Sequence, residues 1–250
     1  MISHAQVKHL RSLGIKKYRQ QCNQFIVEGE KMVIELLGQN QIPPIAIFAI
    51  QPWIDGNSRM LKPFAKNIFS VTQAELEKIS TLSTPNKVLA LADIPIVNCD
   101  FDLAAKHLCF YLDGIQDPGN MGSILRIADW FGFPAVYCSP DCVDVFSPKV
   151  VQASMGAILR VRSWEIDLSE LLEEMPHLSV AGAVLDGLNV FKSELPQQGL
   201  LVIGNEGRGL SPKTNSLLTH RISIPKHAEG RAESLNAAVA AGILAAVFRR

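Results

Sequence analysis

Short apolar runs and amphipathic stretches alternate along the whole chain, and their periods predict an α/β protein. Residues 3–13 carry helical spacing. Residues 25–27 form a short strand. Residues 28–37 place Met32, Ile34, Leu36 and Leu37 among the apolar positions of an amphipathic helix. Residues 45–50 follow Pro43-Pro44 as a buried strand, and 68–71 and 88–92 are further strands. A helix starts at Thr72, with Glu75 placed to close a capping box. Beyond residue 105, strands are predicted at 108–112, 135–138, 179–183, 200–203 and 221–224. Helices are predicted at 121–131, 148–155, 168–175 and 233–248. Strand–helix alternation of this kind predicts a parallel sheet covered on both faces. The expected organisation is a small α/β domain over residues 1–94, a linker over 95–104 and a larger α/β domain over 105–250.

Composition narrows the class. The chain has 250 residues, 48% hydrophobic and 19% charged, which suits a globular protein with a sizeable core. No apolar run reaches membrane-spanning length, and the first residues lack the apolar core of a secretory signal. The expected location is the cytoplasm. Five scattered cysteines, Cys22, Cys99, Cys109, Cys138 and Cys142, read as free buried thiols, and Cys138 and Cys142 lack the companions of a zinc site. The last helix is rich in alanine and carries Gly242, so it reads as a closely packed core helix with a face free for a dimer contact.

Formal net charge is zero, but its distribution is uneven. Residues 1–27 contain Lys8, Arg11, Lys16, Lys17 and Arg19 and no acid. Such a patch can bind phosphates even on a neutral molecule, although a solvated helix face would look the same.

Three loops carry the candidate chemistry. In D-G-I-Q-D-P-G-N-M-G-S-I-L-R (113–126), Pro118 and Gly119 shape a turn, Asn120 offers a donor and acceptors, and Arg126 lies on the following helix. A simple strand–helix turn with a surface arginine fits equally well. In G-N-E-G-R-G-L (204–210), Glu206 lies between glycines where no packing demand requires a carboxylate. It lacks the G-x-G-x-x-G spacing of dinucleotide folds, which disfavours a nucleotide-dependent oxidoreductase. In the third loop, Ile224-Pro225 leads to Gly230, then Ser234 and Asn236 near a helix start, where such residues ordinarily cap. Each loop follows an apolar strand, which points to a shared pocket at strand ends.

Together these loops carry N-x-G-x-x-x-R (Asn120, Gly122, Arg126), G-x-E-G-x-G (Gly204, Glu206, Gly207, Gly209) and I-P…S-L-N (Ile224, Pro225, Ser234, Leu235, Asn236). On these residues, in this order, the second domain resembles the SpoU family of RNA ribose 2'-O-methyltransferases, within the knotted SPOUT superfamily. The first domain is similar, through K-K-Y-R…F-I-V-E-G at 16–29, to the ribosomal-protein-like substrate domain often placed before it. One departure is residues 226–229, which lengthen the gap between Pro225 and Gly230.

The resemblance implies a trefoil knot, a homodimer, no metal, and S-adenosylmethionine bound at Gly204, Asn205, Ile224, Pro225 and Leu235. It implies catalysis by Arg126 with Asn120, Glu206, Ser234 and Asn236 orienting it and the substrate. Arg126 is better suited to gripping an RNA phosphate and steadying a developing alkoxide than to acting as a base, because a guanidinium stays protonated. The basic residues Lys8, Arg11, Lys16, Lys17 and Arg19 would hold structured RNA, rRNA before tRNA. A non-catalytic RNA-binding assembly factor of the same fold is the alternative from another class.

Overall fold

The first helix starts as a sequence signal would have it. In the computed structural model, which describes residues 2–39, 41–82 and 84–250, Ser3 and Gln6 form a capping box that opens α1 (His4–Ser12). A helix not expected from periodicity follows, α2 (Lys16–Cys22), and it buries a single side chain, Arg19. The Arg19 guanidinium donates to the Leu13 carbonyl at 2.7 Å. Arg19 is therefore a structural residue, and its expected place in an exposed RNA-binding patch is corrected: it is buried, and its guanidinium serves the Leu13 carbonyl in the turn between α1 and α2. Lys8, Arg11 and Lys17 are exposed, and Lys16 is half-buried.

Next come β1 (Gln24–Glu28), α3 (Glu30–Gly38), β2 (Pro44–Ala49), α4 (Gln51–Gly56), α5 (Ser58–Leu61), a 3-10 turn (Lys62–Asn67), β3 (Ile68–Ser70), α6 (Gln73–Ile79) and β4 (Val88–Asp93). The sheet order is β1-β4-β2-β3, with β4 antiparallel to both neighbours and β3 parallel to β2. One face buries Ile26, Phe48, Leu89 and Leu91 against Leu10, Leu13, Leu76 and Ile79. The Glu28-Gly29 pair of the first-domain stretch F-I-V-E-G is architectural. Buried Glu28 accepts from the Thr81 N–H at 2.8 Å and from the Ser80 and Thr81 hydroxyls at 2.5 Å, and Gly29 (φ +100) adopts a backbone shape that suits glycine.

The remaining elements are α7 (Asp102–Lys106), β5 (Leu108–Asp113), α8 (Pro118–Trp130), β6 (Ala135–Cys138), α9 (Pro148–Ser154), β7 (Arg162–Glu165), α10 (Leu168–Glu174), β8 (Val180–Asn189), β9 (Gly199–Gly204), α11 (Pro212–Ser216), β10 (His220–Ser223) and α12 (Ala237–Phe248). Six strands form a fully parallel sheet in the order β10-β8-β9-β5-β6-β7. Alternate residues of its strands serve opposite faces. Cys109, Tyr111, Tyr137, Leu200 and Val202 join one buried cluster with Ala104 of α7 and Leu168 and Leu171 of α10. On the other face Phe110 stacks on Phe133, with centroids 4.4 Å apart, and α8 packs on α12.

Contacts divide the chain into Met1–Val97 with Phe146–Leu159, and Asn98–Val145 with Arg160–Arg250. The expected partition at 105–250 therefore differs in one respect. Helix α9 forms near its expected place, but it packs on β1 of the first unit, and Phe146 meets Phe25 edge-on at 5.0 Å. The expected linker also holds structure, since α7 begins at Asp102 and buries Ala104. Among the described residues no helix is long and apolar enough to cross a membrane.

Candidate functional site

Parallel strands put all their carboxyl ends on one edge, and all three motif loops leave from that edge. Asp113 of β5 and Gly204 of β9 are register partners, so the first two loops start side by side. Asp113 is buried and its Oδ2 accepts from the Ser211 N–H at 2.6 Å, tying the far end of the second loop to the start of the first.

The second loop closes on itself. Asn205 and Gly209 exchange main-chain hydrogen bonds of 3.1 and 2.8 Å. The Asn205 side-chain oxygen accepts from the N–H groups of Gly207 and Arg208, and its amide donates to the Gly114 carbonyl at 2.9 Å. A Cβ at Gly204 would lie 2.6 Å from the Gly209 carbonyl carbon, so glycine is needed there for close approach. Both ends of the Asn205 side chain are used within the fold, where they shape the loop that was expected to meet the cofactor.

Pro118 and Gly119 do not form a free turn. They are the first residues of α8, capped by Asp117, whose carboxylate accepts from the Asn120 N–H at 2.8 Å. This places Asn120 in the first helical turn, where its side chain meets the other loops. Asn120 Nδ2 donates to the Glu206 carboxylate, and Asn120 Oδ1 accepts from Asn236 Nδ2 at 2.9 Å. Asn236 also caps α12, its Oδ1 accepting from Ala238 and Val239 at 3.0 and 3.2 Å. The Ser234 hydroxyl donates to the Glu206 carbonyl at 3.4 Å. Four of the five residues expected to be catalytic thus meet in one network spanning three loops.

Arg126 stands apart. Six residues along α8 from Asn120 correspond to about 9 Å of rise and a different face of the helix. It is exposed, and no hydrogen bond or ion pair holds it among the described residues. Among the described residues no hydrogen bond or ion pair joins the other four to Arg126; they bond to one another.

Ile224 is half-buried and Leu235 exposed, and their main-chain groups make no hydrogen bond among the described residues. Free peptide groups beside apolar side chains suit an adenosine-containing ligand, whose base is flat and apolar with polar edges. The longer third loop is stapled by Lys226, which donates to the Ala232 carbonyl at 3.0 Å.

Beneath the first loop, Ser139 accepts from the Gly114 N–H at 2.9 Å and donates to Asp141 at 2.5 Å. The Cys142 thiol donates to the Leu112 carbonyl at 3.3 Å. Contact between the two thiols lowers the Cys142 pKa and raises that of Cys138, while burial pushes Cys109 up to about 12. The five cysteines are free, but Cys22 is exposed rather than buried as expected. Periodicity did not single out Asp113, Asp117 or Ser139; Asp117 directly before Pro118 was the available signal.

The family model described as the SpoU rRNA Methylase family matches residues 107–246. The chain belongs to this family. The model of the MRM3-like substrate binding domain matches residues 4–90. The chain is 28% identical to the 23S rRNA (guanosine(2553)-2'-O)-methyltransferase RlmP of Bacillus subtilis, over 95% of this chain and 93% of that one. A TrmH-family protein from Porphyromonas gingivalis is 36% identical with a TM-score of 0.83, covering 100% of this chain and 98% of that one. The SpoU methyltransferase AviRb from Streptomyces viridochromogenes, solved with AdoMet, is 25% identical with a TM-score of 0.84, covering 99% and 97%. The family expected from the three motifs is therefore the observed one.

Proposed function

We propose that this protein transfers the methyl group of S-adenosylmethionine to a ribose 2'-hydroxyl of ribosomal RNA. The network of Asn236, Asn120, Glu206 and Ser234 carries this reading. It commits side chains from three loops to one arrangement, which a plain fold scaffold would not require. The RlmP and AviRb likenesses support rRNA and this cofactor, and the substrate-domain match at 4–90 favours rRNA over tRNA.

When bound, S-adenosylmethionine supplies an electrophilic methyl on a sulfonium. Main-chain groups at Gly204, Ile224 and Leu235 would hold it, with Pro225 shaping the wall and Asn205 shaping the loop. This arrangement would serve a displacement in which the ribose 2'-oxygen takes the methyl, the sulfur keeps the electron pair of its broken bond to that carbon, and water takes the hydroxyl proton. The rate gain comes mainly from alignment of the attacking oxygen. Arg126, exposed and held by no hydrogen bond or ion pair among the described residues, grips an RNA phosphate and steadies negative charge on the attacking oxygen. Lys8, Arg11 and Lys17 hold phosphates through the first unit.

The site works in a homodimer: Trp130 on α8 is 83% exposed and Val239 on α12 51%, and a second copy covers them. A trefoil knot through the motif loops and a cytoplasmic location belong to the same reading.

The test is transfer of labelled methyl to size-fractionated, unmodified rRNA and tRNA, with sites mapped as alkali-resistant linkages. One resistant site in rRNA is the expected result. Label confined to tRNA overturns the substrate, and label in neither, with cofactor bound, favours the non-catalytic assembly factor.

A further inference from the structure

Helix α2 is an unusual element. Of its seven residues only Arg19 is buried, so apolar burial explains neither its presence nor its composition. It is nevertheless firmly held. Arg19 ties it to the Leu13 carbonyl at 2.7 Å. At its C-terminal end Asn23, in the left-handed conformation (φ 53), donates its side-chain amide to the Ile94 carbonyl at 2.9 Å and its own carbonyl accepts from the Ile94 N–H at 2.8 Å. A helix pinned at its middle and its C-terminal end, with its outer face in solvent, is a rigid presentation surface.

That face carries Tyr18, flanked in sequence by Lys17 and preceded by exposed Ile15 and Arg11. Tyr18 is 40% exposed. Its hydroxyl has no hydrogen bond and its ring no aromatic partner among the described residues. Phe69 of β3 is exposed to the same degree, but its ring stacks on Phe48 at 5.1 Å. Tyr18 thus differs from the other exposed aromatic of its unit in having nothing to stack on. No acidic residue occurs among positions 1–27, so the surroundings favour an anionic partner. An unstacked aromatic ring on a rigid support, in a stretch whose exposed charges Arg11 and Lys17 are both positive, meets the chemical needs of an unpaired nucleotide: a π-face for the base and positive charge for its phosphates.

We propose that Tyr18 is a stacking platform for an unpaired base of the RNA substrate, so that the first unit selects a loop or bulge over a regular duplex. The inference rests on the proposed RNA substrate and adds what the basic residues alone do not supply. Phosphate contacts give affinity without discriminating between single strand and duplex in this way, whereas a base can reach an aromatic ring only when it is free of its pair.

The experiment is filter binding of an unmodified large-subunit rRNA transcript, and of one short oligoribonucleotide as a single strand and in a duplex, to the wild-type protein, Tyr18→Ala and Tyr18→Phe. Tyr18→Ala is expected to weaken rRNA binding about 5- to 150-fold, the range that stacking of ~1–3 kcal/mol per base represents. Tyr18→Phe keeps the ring and should bind within about twofold of wild type. The preference for single strand over duplex should fall in Tyr18→Ala, while the salt dependence of binding stays as in wild type because no cation is lost. Unchanged rRNA binding by Tyr18→Ala overturns the inference. So does Tyr18→Phe failing as badly as Tyr18→Ala, or an equal loss on single strand and duplex. Methyl transfer is assayed in parallel. A wild-type protein that binds RNA without methylating it sinks the proposed reaction and leaves the Tyr18 comparison decisive. One that binds no RNA overturns both.

Discussion

The side-chain amide of Asn236 donates to the side-chain oxygen of Asn120 across 2.9 Å, linking the start of α12 to the first turn of α8. The same Asn236 caps α12 through its oxygen, so one side chain fixes a helix end and orients a residue of another loop. Asn120 passes the constraint on through its amide to Glu206.

This double role can be split. Asn236→Asp keeps an acceptor for the Ala238 and Val239 N–H groups but loses the donor to Asn120. It should melt close to wild type while methyl transfer falls at least about tenfold, equivalent to ~1.4 kcal/mol of transition-state stabilisation. Asn236→Ala loses the cap as well and should cost a further ~1 kcal/mol of stability. Thermal melts beside steady-state transfer rates check both, and wild-type turnover in Asn236→Asp would sink the argument.

Arg126 has no hydrogen bond or ion pair to the network among the described residues, so Arg126→Ala should leave S-adenosylmethionine affinity largely unchanged while abolishing transfer. Arg126→Lys should restore little, because an ammonium does not reproduce the planar fork that grips a phosphate. Calorimetric titration of the cofactor checks the first claim. Loss of cofactor binding as severe as the loss of transfer would contradict this role.

Gly204→Ala places a methyl group 2.6 Å from the Gly209 carbonyl carbon, a contact with backbone that no side-chain rotation relieves. The loop must shift, and cofactor affinity should drop by about tenfold or more, ~1.4 kcal/mol. Equilibrium dialysis with labelled cofactor reads this directly; undiminished affinity would show that the loop tolerates the shift.

Arg19 and Lys17 are close in sequence but should behave oppositely. Arg19→Ala removes a buried charge-assisted hydrogen bond and should cost about 1.5–3 kcal/mol of stability. Lys17→Ala should leave stability within ~0.5 kcal/mol and lower the slope of log affinity against log salt by about 0.7 on single-stranded RNA. Denaturant titration and salt-dependent RNA binding separate the two. Equal destabilisation by both variants would refute the assignment.

Asp167 caps α10 through the Ser169 N–H at 2.9 Å and pairs with Lys213 at 2.8 Å. The Lys213 hydrogen bond is the largest influence and, with help from the Ser169 hydrogen bonds, holds its carboxyl below the usual range although burial pushes the other way. A depressed folded pKa gives stability that is present above the unfolded value of about 3.9 and fades as pH falls through the folded value. Lys213→Met should therefore be less stable than wild type near neutral pH, by under ~1 kcal/mol because the lysine is well exposed. The gap should close in the acid limb. Chemical denaturation across that limb checks it, and a gap that persists in acid would point to lost packing instead.

The strand ends and most helices were legible because their signals are local. Apolar runs of strand length marked β5, β6 and β9 close to their observed limits, and the Thr72–Glu75 capping box marked the start of α6. Helix α2 was not legible, since it is held by a buried arginine and leaves no apolar stripe. The outer half of β8 lies beyond the expected strand at 179–183, because Asp186-Gly187 interrupts the apolar run. Its Gly187 would set a Cβ 2.5 Å from the Ile222 main chain, a close approach to β10 that spacing cannot reveal. Edge strand β7, half-buried and short, gave too weak an alternation.

The amino-acid sequence by itself determined the α/β class, the three loops at strand ends and, through those loops, the family. Each depends on residue types at short, fixed spacings. Only the tertiary structure decided which partners those residues have. It put Arg19 inside and left Arg126 out of the network; it also gave Asn205 to the loop and sent α9 to the first sheet. Val150 and Val151 make α9 seek an apolar surface, but two sheets offer one. Hydrophobic burial is non-directional, so the choice falls to packing across long sequence separations, which no local pattern encodes.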